Sequence, residues 1–252
     1  MRKIVLAAAA ALSLSAPSFA AEEVHPVERH WTFNGVFGKF DKQQVQRGFQ
    51  VYKEVCAACH SLNYLSFRNL EEIGYSEDQV KVIAAEYQVQ DGPDENGDMF
   101  QRPGRPSDRI PKPFANPMLA RAANGGALPP DLSLMTKARE DGPNYVFSLM
   151  TGYHEPPKGF ELMTGMSYNT YFPGHQIAMP QQITDDRVVY ADGTKASAEQ
   201  IATDVVAFLH WVAEPKLEAR HATGIRVMLF ALLFTVLAYF YKRRLWARLE
   251  KH

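Results

Sequence analysis

The sequence predicts a mainly α-helical exported domain with long loop insertions, followed by one C-terminal transmembrane helix. Three observations predict it. Two segments repeat apolar residues at spacings of three and four behind recognisable caps, only one short run has strand composition, and a long apolar stretch late in the chain runs into a basic cluster. With 252 residues and 46% hydrophobic content, the chain can bury one sizeable core and still carry segments outside it.

The first element is a targeting segment. Arg2 and Lys3 precede an apolar run from Ile4 to Leu14, and Ser18, Phe19 and Ala20 put small residues three and one before a cut. Residues 1–20 therefore read as a cleaved signal peptide, because the run is too short to span a bilayer. The first helix of the body begins at Asp41, an N-cap, and places Val45, Phe49, Tyr52 and Val55 on one face. Ser76 and Gln79 cap another helix, which is expected to run to about Val89. The segment from Gln90 to Pro113 is rich in Pro, Gly and charge and reads as a surface excursion. Asn116-Pro117 opens a short helix closed by Gly125-Gly126, and Pro143 opens another closed by Gly152. Val188 to Tyr190, before the Asp192-Gly193 turn, is the one good strand signal. A strong helix follows from Ser197 and Gln200 through Ile201, Val205, Phe208, Leu209 and Val212, and Pro215 ends it.

Gly224 to Tyr241 is apolar apart from Arg226, whose charge can snorkel to an interface. Lys242, Arg243 and Arg244 follow at once, so the positive-inside tendency puts the tail in the cytoplasm. The expected organisation is a signal peptide at 1–20, a periplasmic domain at 21–222, a membrane anchor at 223–241 and a basic cytoplasmic tail at 242–252. That is a single-pass protein of a bacterial inner membrane, in contact with lipid. Residues 21–222 hold 19 Lys and Arg against 27 Asp and Glu, leaving −8, whereas the tail beyond Tyr241 carries +4. An acidic body argues against nucleic acid as a partner and for a basic partner or simple solubility.

The two cysteines, Cys56 and Cys59, are followed by His60. Exported cysteine pairs ordinarily form structural disulfides, but Cys-Ala-Ala-Cys-His has the spacing of covalent haem c attachment. Each thiol can add to one vinyl group of the same haem, which leaves His60 beneath the iron. A thioredoxin-like pair would need a preceding βαβ strand, and zinc would need two further ligands. The iron's second side is less legible. Among nine methionines, Met179 lies in a stiff Ile-Ala-Met-Pro strap after Pro173-Gly174, and on spacing alone His175 rivals it.

Several separate blocks carry a wider resemblance: Val55 to Ser61, Met99 to Gly104, Ala120 to Ser133, Tyr145 to Tyr153, Tyr171 to Gly174 and Ala213 to Pro215. Through them the chain resembles the cytochrome c1 family over essentially its whole mature length. The resemblance implies a cytochrome c-like haem domain carrying one haem c, with Met179 as sixth iron ligand beside His60. It also implies that Arg121 contacts a haem propionate, that Pro129 and Pro130 line the haem edge, and that Asp91, Asp94, Glu95 and Asp98 steer a basic soluble cytochrome c. The implied role is single-electron transfer within ubiquinol-cytochrome c reductase, from a Rieske iron-sulfur subunit to cytochrome c, with the anchor beside cytochrome b in a dimeric complex. No substrate is transformed on the chain itself. Some bacterial relatives have a further cysteine pair, which this chain lacks. A membrane-anchored monohaem cytochrome serving another oxidase or reductase shares the generic features. A haem peroxidase would need an open iron position and commonly a second haem motif.

Overall fold

The computed structural model of the chain describes residues 24–247, so the expected signal peptide and the last five residues of the tail lie outside the described residues. The body is mainly helical. In chain order it comprises α1 (Lys42–Val51), α2 (Glu77–Ala85), the strands β1 (Gln88–Asp91) and β2 (Phe100–Pro103), α3 (Pro117–Ala123), α4 (Gly142–Thr151), the two-residue strands β3 (Ser167–Tyr168) and β4 (Gln176–Ile177), α5 (Ala198–Ala213) and α6 (Leu217–Trp246).

The caps read from sequence are present. Asp41 accepts from the backbone N–H groups of Gln43 and Gln44 at 3.0 and 3.3 Å, and Ser76 and Gln79 form a reciprocal box at the start of α2. The apolar face of α1 is buried against α5. Val45, Phe49, Tyr52 and Val55 are all inside, and the Phe208 ring of α5 packs, tilted, against Phe49 and Tyr52 at centroid distances of 5.6 and 5.8 Å. The helices approach so closely because α1 carries Gly48 at the crossing. A Cβ there would stand 2.0 Å from the Asp204 carbonyl oxygen and 2.6 Å from the Phe208 Cβ. Gly48→Ala is therefore expected to force the helices apart, at a cost near the upper end of the ~1–3 kcal/mol typical of overpacking, because the obstacle is backbone. Denaturant unfolding of the haem-loaded protein measures it.

A charged network lies beside this crossing. Asp204, fully buried on α5, accepts from Arg47 Nε and Nη2 at 2.9 and 3.2 Å and from Gln200 Nε2 at 2.9 Å, while Arg47 Nη1 reaches Asp192 at 3.0 Å. The second packed pair is α4 on α5. The N-terminal segment straps across it, with Trp31 donating to Asn144 at 2.7 Å and Arg29 lying over the Phe147 ring at 4.1 Å.

Three boundaries differ from the sequence reading. Val188 to Tyr190 is not a strand, although its alternation is real: Val188 and Tyr190 are buried and Val189 is 84% exposed. Period two recorded which side chains face the core, but among the described residues no segment pairs with the run as a strand. The α2 helix stops at Ala85, because Tyr87 already accepts from Gly104 N–H at 2.9 Å and opens the β1–β2 hairpin inside the expected excursion. The last helix starts at Leu217, two turns before the expected anchor boundary, because Leu217 is buried against the body. Glu214 pairs with both Lys137 and Arg220, and Glu218 accepts from Phe40 N–H at 3.0 Å, so the helix base is fixed to the domain. At 30 residues α6 is about 45 Å long, and it is apolar enough to cross a membrane.

Candidate haem site

After Val51 the α1 helix widens into one π-helical turn, Tyr52–Cys56, which delivers Cys56 to the wall of a cavity of about 570 Å3. The attachment turn then closes on the Cys56 carbonyl, which accepts from Cys59 and His60 N–H at 3.1 and 2.9 Å. Tyr52 Oη donates to the His60 carbonyl at 3.0 Å and ties the turn to the core. Cys56, Cys59 and His60 all line the cavity, together with the loop Ala127 to Pro130, Met135, the α4 residues Tyr145, Val146, Leu149 and Met150, and Val205 and Leu209 of α5. The expected Pro129 and Pro130 are thus part of the wall.

The His60 ring is set by its far nitrogen. Nδ1 lies 2.8 Å from the Pro130 carbonyl, which can only accept, so Nδ1 carries the proton and Nε2 keeps a free lone pair for a metal. Burial lowers the His60 pKa, although Pro130 and Asp131 act in the opposite direction, and the ring stays neutral as a ligand must. Asp131 organises the same loop by accepting from Ser61 Oγ, Asn63 N–H and Ser133 N–H at 2.8, 2.8 and 3.0 Å. Sequence reasoning missed Asp131, whose signal was an Asp two residues before a Ser, the spacing of an Asx turn.

Burial pushes the Cys56 thiol up to about 12. A redox-active or metal-binding cysteine is favoured as thiolate, whereas this apolar wall suits an uncharged thioether. Among the described residues no group of three or more His, Cys, Asp or Glu is arranged to hold a metal ion by itself. The apolar lining, the neutral imidazole with a free nitrogen and the two cysteines fit a covalently attached haem.

Met179 and His175 are separated by the structure. The β3–β4 pair holds the strap that leads to Met179, and Tyr153 Oη donates to the Met179 carbonyl at 3.0 Å. Met179 lines the cavity with Ile177, Ala178 and Pro180. His175, in the left-handed region at φ 60°, turns its Nδ1 to the Thr170 carbonyl at 3.0 Å and stacks on Tyr168, and it is not on the cavity wall.

Arg121 is not brought to the wall either. It sits on the short α3, exposed, and its Nη1 donates to the Gly126 carbonyl at 2.9 Å, closing the turn beyond that helix. Arg139, also exposed and donating from Nη1 to the Ala138 carbonyl at 3.0 Å, lines the cavity instead, and among the described residues it is the one side chain with a permanent charge that does so. Within Lys-Ala-Arg-Glu it had no signal to distinguish it from a solvated cation. The four acidic docking candidates also divide. Asp91 pairs with Arg102, and Asp94 accepts from the N–H groups of Asn96 and Asp98 at 2.8 and 2.9 Å to hold its own turn. Glu95 and Asp98 are exposed, and neither forms an ion pair among the described residues.

A helical body whose α1 and α5 cross beside a cavity walled by Cys-x-x-Cys-His defines a c-type cytochrome. A family model described as the Cytochrome C1 family matches residues 31–249. The relatives agree with it. Cytochrome c1 of Rhodospirillum rubrum is 47% identical over 235 residues, covering 87% of this chain and 86% of that protein. A mitochondrial cytochrome c1 heme protein of Arabidopsis thaliana is 46% identical over 242 residues, covering 95% and 79%. The cytochrome b/c1 protein of Bradyrhizobium diazoefficiens is 48% identical over 244 residues, 88% of this chain but only 36% of that longer protein. The chain belongs to the cytochrome c1 family. It carries one covalently bound c-type haem and serves as the haem-bearing electron-transfer subunit of a cytochrome bc1 complex.

Proposed function

We propose that this chain takes single electrons from a Rieske iron-sulfur subunit and passes them to a soluble or membrane-tethered cytochrome c. The observation that carries the reading is one cavity whose wall holds Cys56, Cys59, His60 and Met179 together. The haem supplies a one-electron ferric/ferrous couple, held at high potential when histidine and methionine are its axial ligands. The chain's own residues do the rest. Cys56 and Cys59 would fix the group, His60 and Met179 would fill both axial positions, and the apolar wall with Pro129 and Pro130 would keep water from the iron. With His60 and Met179 both bound to it, the iron would have no place for peroxide or oxygen chemistry.

In this reading residues 1–20 are removed, residues 21–222 form the periplasmic domain, residues 223–241 lie in the bilayer beside cytochrome b, and residues 242–252 face the cytoplasm. The complex is dimeric. Glu95 and Asp98 are the acidic residues free to meet a basic cytochrome c, and Asp91 and Asp94 act by holding the loop that presents them. Arg139 takes the role of carboxylate partner expected of Arg121, because a guanidinium on the cavity wall offers paired donors. Arg139→Gln is then expected to lower the midpoint potential by some tens of millivolts, the order of a ~1 kcal/mol charge interaction with the ferric state, while Arg121→Gln leaves it nearly unchanged. Redox titration of both variants decides between them.

The reading is tested by solubilising membranes in mild detergent and identifying what purifies with the chain. Cytochrome b and a Rieske protein are expected. Their absence, with another oxidase or reductase in their place, would assign the chain to that system instead. Acidified acetone should leave the pigment on the polypeptide.

A further inference from the structure

Away from the haem cavity, a groove of about 500 Å3 runs between β1 and the segment Asp108 to Lys112. Its first wall is an open sheet edge. Among the described residues the sheet has two strands, β1 beside β2, with Gln88 opposite Pro103, Val89 opposite Arg102 and Gln90 opposite Gln101. Tyr87 accepts from Gly104 N–H, which sets the alternation of the ladder, so Val89 and Asp91 exchange hydrogen bonds with β2 while the peptide groups of Gln88 and Gln90 point outward. Pro103 fits this register, since opposite Gln88 its missing N–H costs the ladder nothing. Gln88, Val89 and Gln90 all line the groove, and Gln88 and Gln90 are exposed.

The second wall is fixed. Ile110 is buried and donates to the Leu65 carbonyl at 3.1 Å, and Phe67 N–H donates to the Asp108 carbonyl at 3.0 Å. The charge on this wall is one-sided. The Asp108 carboxylate is engaged by Arg102 at 2.6 and 3.0 Å, whereas Arg109 and Lys112 are exposed and form no ion pair among the described residues. A rigid trough with outward peptide groups along one side and free cations along the other matches an extended acidic strand.

We infer that this groove docks an acidic, extended segment of another subunit, which adds to β1 as a third strand with its carboxylates on Arg109 and Lys112. The inference rests on the reading that the chain works inside a multi-subunit complex, and its test is separable from that reading. Failure to recover cytochrome b and the Rieske protein would overturn the complex assignment, whereas amide exchange at β1 reports on the groove in whatever assembly is obtained.

The experiment compares hydrogen exchange of the Gln88 and Gln90 amides in the detergent-solubilised native assembly and in the haem-loaded chain separated from its partners. Strand addition is expected to slow both amides roughly tenfold or more, since each gains a hydrogen bond that must open before exchange. R109E/K112E should abolish the slowing without altering the haem spectrum, because neither residue lines the haem cavity. A photo-reactive benzophenone side chain introduced at Gln90 should form adducts on an acidic stretch of a different subunit. Equal exchange in the two states would overturn the proposal, as would protection that survives the double charge reversal, or adducts confined to lipid or to a second copy of this chain.

Discussion

Met179→Leu is expected to lower the midpoint potential by on the order of 0.2 V, a sizeable part of the ~0.8 V over which axial ligands move haem potentials. It should also let carbon monoxide bind the reduced protein. The size follows from replacing a thioether donor by a hydrocarbon of nearly equal volume. Leucine fills the same space at a packing cost under about 1.5 kcal/mol, so the fold persists and the change isolates the ligand. The strap around it is independently held. Tyr153 donates to the backbone carbonyl of residue 179 and not to its side chain, and the β3–β4 pair lies just before it. Redox titration, carbon monoxide difference spectra and loss of the methionine-to-iron charge-transfer band report on one event. An unchanged potential would exclude Met179 as a ligand, and His175 could not inherit the role without leaving Thr170 and swinging into the cavity.

This residue also shows how far the sequence could be read. The attachment motif is local: Cys56, Cys59 and His60 lie within one turn, so their spacing already contains their geometry. The second side of the site belongs to a strap more than a hundred residues away, and spacing alone cannot choose between Met179 and His175. What sets the two apart is a hydrogen bond to Thr170 and a ring stack on Tyr168, which hold His175 off the cavity wall and are both products of the folded β3–β4 turn. Arg121 and Arg139 separate for the same kind of reason. The first is drawn to a carbonyl five residues on, and the second is carried to the cavity by the loop between Met135 and α4. The helical faces were legible because period 3.6 records burial directly, as in α1. The run from Val188 to Tyr190 misled because period two records burial equally well in a segment that, among the described residues, joins no strand ladder.

Asp204→Ala is expected to be the most damaging substitution outside the haem site, costing about 3–5 kcal/mol, against a total stability of roughly 5–15 kcal/mol for a domain. The carboxylate itself is not worth that much in the folded state, since two charges were taken out of water to make the pair. The cost arises from what remains. Arg47, whose side chain is 17% exposed, would lose both of its bonds to Asp204 and keep only Asp192, while Gln200 would lose its acceptor. These groups sit beside the α1–α5 crossing, where Gly48 already brings the two backbones into contact, so the helices cannot adjust without opening the face that carries Phe49, Tyr52 and Phe208. Asp204→Asn keeps an acceptor for Gln200 and should cost less, about 1.5–3 kcal/mol, the range of a hydrogen bond to a charged group. The double substitution R47L/D204L removes both charges and should recover much of the loss, because paired apolar replacements of buried ion pairs are often close to neutral. Denaturant unfolding of the haem-loaded protein, followed by far-ultraviolet dichroism and haem absorbance together, measures all three. If D204A and R47L/D204L were equally unstable, the pair would be contributing packing and not charge compensation.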